Sequence, residues 1–150
     1  MPGTSTNFEF TINNQTTVQV DHPADSSAVS YTSAKVKGDG YYKGGDGYHT
    51  LSFKISNFIG KIKLQATLET EPTDNSDWFD VELVNPNSVS GYSVDTTGAV
   101  ESGVELNELD YTSVGTTATK IYNAVGNFVW LRVNVNSYTQ GTVNYIRMNY

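Results

Sequence analysis

Apolar residues in this chain recur at every second position over short runs, the period of a strand with one buried face. In residues 61–68, Ile62, Leu64, Ala66 and Leu68 fall on one side, and Lys61, Lys63, Gln65 and Thr67 on the other. In residues 128–135, Val129, Leu131, Val133 and Val135 share the side that Trp130, Arg132 and Asn134 avoid. Residues 48–55 repeat the pattern with Leu51, Phe53 and Ile55, and residues 8–12 with Phe8, Phe10 and Ile12. Further strands are predicted at 16–20, 29–36, 78–84, 119–125 and 142–150. Turn residues separate them: Asn13-Asn14, Asn57-Phe58-Ile59-Gly60, Asn85-Pro86, Gly126-Asn127 and the stretch 137–141. The last three predicted strands read as a meander. No stretch carries a helical period of any length. The pattern predicts an all-β fold: a single antiparallel β-sandwich, jelly-roll-like, of about eight strands with little helix, forming one domain over residues 1–150.

Residues 87–117 do not follow the alternation. They are rich in Gly, Ser and Thr and carry Asp95, Glu101, Glu105, Glu108 and Asp110. A loop of that length inside a compact domain is unusual, so the reading is a long loop or arm, with a brief helical turn at 104–109.

Composition narrows the function. Charged residues are only 17%, so the outer faces are neutral and polar. The net charge of -7 opposes attraction to nucleic acid or to an anionic membrane, and the nine basic residues form no run. The absence of cysteine excludes disulfides and thiolate metal sites. The start, MPGTSTNFEF, has neither a basic n-region nor an apolar h-region, so synthesis in a cytoplasm without a signal peptide is the expectation. No apolar run approaches membrane-spanning length.

One stretch resembles a chemical motif: KGDGYYKGGDGYHT, residues 37–50. A phosphate cradle needs a third glycine where Lys43 stands, and a helix where a strand follows. Calcium needs converging oxygens, and Asp39 and Asp46 are the candidates, without the closing glutamate of an EF-hand. The simpler reading is a strand connection, with Tyr41, Tyr42 and Tyr48 covering the end of the sandwich. His22 and His49 are the only histidines and no G-x-S-x-G elbow occurs, so nucleophilic catalysis has no motif. Asp77, Asp80 and Glu82 surround Trp78 as a glycosidase candidate set, set against the simpler reading of solvated surface acids. Trp78 and Trp130 are candidates for a sugar-stacking platform. No catalytic residue and no cofactor are assigned.

The resemblance lies in GYHTLSFKISNFIGKIKLQATLETEPTDNSDWFDV and NAVGNFVWLRVNVNSYTQGTVNYIRMNY. A strand, a Phe-Ile-Gly turn, a K-I-K-L-Q-A-T-L strand and a nearby tryptophan are followed later by G-N-F-x-W-L-R and a T-x-G-T-V strand. This pairing resembles small structural proteins of tailed bacteriophages, especially T4-like phages of marine and cyanobacterial hosts. It covers the last two-thirds of the chain apart from residues 87–117. The resemblance implies a non-enzymatic accessory part of a virion (capsid decoration, neck, tail or baseplate) acting by protein–protein assembly. Its partners would be other virion proteins and copies of itself, without nucleic acid or membrane. The interface candidates are Phe8, Phe10, Tyr41, Tyr42, Tyr145 and Tyr150. The alternative is a carbohydrate-binding module that touches host-surface glycans through Trp78 and Trp130.

Overall fold

The structure, a computed structural model, describes residues 7–10, 20–22, 27–42, 47–84, 92–94, 100–102 and 108–150. The elements run β1 (Asn7–Glu9), β2 (Val20–Asp21), β3 (Val29–Thr32), β4 (Val36–Lys37), a one-turn helix α1 (Asp39–Tyr42), β5 (Tyr48–Thr67) and β6 (Phe79–Asp80). They continue with β7 (Tyr92–Val94), β8 (Val100–Ser102), β9 (Leu109–Asp110), β10 (Thr116–Val125) and β11 (Trp130–Asn149). A single 3₁₀ turn, Asn75–Asp77, precedes β6. Nine of these strands form one antiparallel sheet, and β7 and β8 pair with each other as a separate hairpin. The chain is all-β with little helix, as the alternation predicts.

The frame is the pair β5 and β11, each of 20 residues, matched from Trp130↔Thr67 to Asn149↔Thr50. β4, β3, β2 and β1 line the far side of β11 in turn. β6, β9 and β10 line the far side of β5. The sequence pattern divides each long strand into two with a turn between them. The molecule instead runs one strand through each and bends it. Asn57 (φ 51°), Ser137 (φ 51°) and Gly141 (φ 85°) take left-handed backbone at the bends. The register slips between Asn136 and Gln140, between Gln140 and Thr142, and between Val143 and Tyr145. Such bulges turn a strand sharply while leaving it paired, and they form the corners where a sheet folds onto itself.

The two arms of the folded sheet share one core. Leu51, Phe53 and Ile55 come from β5 before its bend, and Ile62, Leu64 and Ala66 from after it; all are fully enclosed in a single cluster. Leu131, Val133 and Val135 join them from β11, with Val143, Ile146 and Met148 beyond its bend. The three-residue step from Val143 to Ile146 marks the bulge there. Phe58 closes the corner, its ring 5.2 Å from Tyr138 and 6.2 Å from Tyr111. The Tyr138 hydroxyl donates to the Gly141 carbonyl, and burial pushes its pKa up, with Asp21 and Tyr31 adding to the effect. Val84 and Asn123 exchange two backbone hydrogen bonds of 2.8 Å, tying the chain beyond β6 to β10.

Other expectations shift in detail. Residues 29–36 form two short strands, β3 and β4, both on β11. Leu68 is 64% exposed because β5 ends at Thr67, so the alternation no longer applies to it. Gly126-Asn127 joins β10 to β11, but both strands pair with β5, so the last segments are not a meander. Within 87–117 lie β7, β8, β9 and the start of β10; the helical turn expected at 104–109 falls mainly outside the described residues.

Candidate functional site

The glycine-rich stretch turns a corner, and two of its polar residues, Asp39 and His49, face inward. A Cβ on Gly38 would meet the Phe128 carbonyl oxygen at 2.3 Å, and one on Gly40 the Asn127 oxygen at 2.2 Å. Only glycine admits so close an approach to the β10–β11 connection. Asp39 is buried, and its carboxylate accepts the Gly47 N–H at 2.6 Å. The Asp39 N–H donates to His49 Nε2 at 3.0 Å. That nitrogen is therefore an acceptor, which places the ring proton on Nδ1, 3.1 Å from the Gly47 carbonyl. The calcium candidate Asp39 thus serves as a loop clasp, and Asp46 lies outside the described residues. Among the described residues no three His, Asp or Glu side chains converge as a metal site would require. His22 bonds through Nε2 to the Ser27 carbonyl at 2.7 Å and lies edge-on to Tyr138.

The interface candidates divide. Phe10 is fully enclosed in the core, where its strand face directs it, and has no surface to offer a partner. Phe8 sits opposite Met148 in β1, and Tyr42 ends α1; both side chains lie outside the described residues. Tyr41 is 40% exposed. Tyr145 is half-buried beneath the Arg147 guanidinium, 4.0 Å away. Tyr150 is half-buried beside His49, and its hydroxyl donates to the Lys37 carbonyl at 2.7 Å.

Of the three glycosidase candidates, Asp77 stands apart, and Asp80 and Glu82 line one groove. Asp77 accepts the N–H groups of Thr73 and Asp74 at 2.8 and 3.0 Å, which cap the 3₁₀ turn. Asp80 takes a hydrogen bond from Gln65 at 3.0 Å and an ion pair from Lys63 at 3.4 Å. Glu82 is exposed, on an open groove of about 530 Å³ that Asp80 also lines, with Phe79, Val81, Val84, Val125 and Phe128. Two of the three carboxylates are thus engaged by local structure.

These contacts set a pH expectation. The backbone N–H groups of Asp74 and Thr73 hold the Asp77 pKa below its ordinary 3.8. The Thr112 hydroxyl, and then its N–H, do the same for Asp110. A depressed folded pKa means that the stabilisation is complete above the unfolded value and is lost as pH falls through the folded one. In a carboxyl-detected NMR titration, both groups should keep their charge below pH 3.8, and the amides of Asp74 and Thr112 should shift with the same midpoints. Midpoints at or above 3.8 would mean that these caps do not persist in solution.

Two surfaces remain. The first is the outer face of β4, β11 and β5. Lys37, Trp130 and Thr67 are cross-strand neighbours, and Arg132 and Gln65 form the next row. The Trp130 indole N–H donates to the Thr70 carbonyl at 3.0 Å, which fixes the ring. Lys35 lies over Trp130 at 4.7 Å, Lys37 over Tyr41 at 4.6 Å, and Arg132 over Trp78 at 4.3 Å. Tyr41 meets Trp130 edge-on, their planes 60° apart, so the pair is not coplanar. Sequence alternation places Trp130 and Arg132 together, but Lys35, Lys37 and Tyr41 join them only through the strand pairing.

The second surface is apolar. Ile121 and Val125 point outward from β10, 42% and 56% exposed, and Tyr48 stands opposite Val125 at 57%. Phe79, 43% exposed, shares the groove with Val125. No family model matches the chain, and no curated protein matches it. The functional reading therefore rests on these surfaces and on the sequence resemblance.

Proposed function

We propose that this chain is a non-enzymatic structural component of a tailed-phage virion, acting by protein–protein assembly. One observation carries the reading: the exposed apolar residues Val125, Tyr48 and Phe79 at one end of β10, with Ile121 farther along the same strand beyond the polar pair Asn123 and Thr50, on an otherwise polar-faced sheet. Large apolar side chains left exposed together on one face mark contact surfaces. The segments that resemble phage structural proteins support it too, because they build β5 and β11, the frame that holds these residues in place. Assembly supplies many copies, so individually weak contacts add through multivalency.

The test combines sedimentation with immuno-electron microscopy. The purified chain should self-associate, or bind particles of the phage that encodes it, and an antibody to it should label intact virions. Ile121→Lys with Val125→Asp should abolish association while circular dichroism stays unchanged. A protein that stays monomeric and is absent from purified particles would overturn the proposal.

A further inference from the structure

We propose that the outer face around Trp130 and Arg132 is a binding site for a carboxylate-bearing sugar, an acidic glycan segment. The inference rests on this face alone and does not depend on the assembly reading. Three of the nine basic residues, Lys35, Lys37 and Arg132, gather here on a chain of net charge -7. Farther along the same face, Lys61 and Lys63 are neutralised by Glu108 and Asp80. Among the described residues, neither Lys35 nor Arg132 has a carboxylate within ion-pair distance. The nearby loop acids Glu69, Glu71 and Asp74 are exposed and do not reach them.

Arg132 is the anchor. Its Nε donates to Gln65 Oε1 at 2.9 Å, and Nη2 donates to Asn75 Oδ1 at 3.3 Å. Both acceptors are neutral amides, so they orient the guanidinium without cancelling its charge. The cation is partly desolvated, a cost that an anion would offset. Of the five N–H donors of a guanidinium, three are left for a ligand among the described residues. The planar fork suits a carboxylate in two-point contact.

The rings supply the sugar half of the recognition. Trp130 is locked by its bond to Thr70, so it loses little freedom when a sugar stacks on it. Lys35 now covers it, but a cation over a half-buried ring contributes only about 0.5–2 kcal/mol. A sugar can displace the flexible lysine from the ring face and then accept its ammonium on the carboxylate. A purely electrostatic partner would need no aromatic floor, and a neutral sugar would need no cations.

Both tryptophans of the chain lie in this site, so their fluorescence reports on it directly. The whole chain is titrated with tetramers of galacturonate and of mannuronate, with the methyl ester of each, and with tetraglutamate. The expected result is a saturable emission change with at least one acidic tetramer, weakening as salt rises. The methyl esters should bind about tenfold more weakly, as should Arg132→Gln. Lys35→Gln, an exposed substitution that leaves the fold intact, should weaken binding several-fold. No response to either acidic tetramer, or an equal response to the ester, overturns the proposal. Equal binding of tetraglutamate also overturns it and assigns the face to an acidic protein partner. Neither failure bears on assembly, which is read by the Ile121 and Val125 variants.

Discussion

Gly141→Ala is expected to be the most damaging single-methyl change in the chain. Gly141 stands at φ 85°, where a side chain is strained. An added Cβ would also fall 2.2 Å from the Asn57 carbonyl oxygen and 2.6 Å from that of Ser56. Neither neighbour is a flexible side-chain tip; both are backbone of the facing bend. Left-handed backbone costs about 1–2 kcal/mol for a non-glycine residue, and overpacking adds roughly 1–3. The sum is a large part of the 5–15 kcal/mol that typically holds a domain together. Urea denaturation should show a midpoint lowered by more than 1 M, or a chain unfolded in buffer. Ser137→Gly is the contrasting change: with φ 51° already imposed on a serine, glycine should be neutral or slightly stabilising. If Gly141→Ala leaves the midpoint unchanged, the bend does not have this geometry in solution.

Phe58→Ala should cost at least as much, at about 3–5 kcal/mol, the usual range for removing a buried phenylalanine. Phe58 is fully enclosed and touches Tyr111 and Tyr138, one from each side of the corner. Its removal leaves a void where the two arms of the sheet meet. Phe58→Leu should cost less, because it fills part of that space. Both can be measured by urea melts with an unchanged denaturant slope. A loss near 1 kcal/mol for the alanine variant would mean that the corner collapses around the gap and that the arms are not coupled through this ring.

Alternation in the sequence identified the core well. Leu51, Phe53, Ile55, Ile62, Leu64, Ala66, Leu131, Val133 and Val135 are all fully enclosed, on the faces their period assigns; the exceptions sit at the strand ends, where Val129 is half-buried and Phe128 is buried in its stead before β11 begins. The bends were not legible, and the reason is physical. Asn and Gly provide left-handed backbone equally well for a hairpin turn and for a bulge inside a strand. Which one forms depends on the facing segment. Here Gln140 pairs with Ile59 and Thr142 with Ser56, contacts between residues about 80 positions apart. The candidate site divides in the same way. Trp130 was visible from its strand face, whereas Lys35 and Lys37 reach it only because β4 lies beside β11. Asp39 has the residue type and the glycine neighbours of a metal ligand, and only its burial and its bond to Gly47 show it to be a clasp.

The two-strand frame also dictates when the molecule can fold. Every β5–β11 contact joins residues far apart in the chain, from 63 positions (Thr67 to Trp130) to 99 (Thr50 to Asn149). Short-range contacts that could form early are few, and closing such long loops costs entropy before any pairing rewards it. On a ribosome, β5 would emerge with its apolar face unmatched and wait until residue 149 had cleared the exit tunnel. Lys54, Lys61 and Lys63 stand on its other face. During that interval they are charges that discourage one nascent β5 from pairing with another.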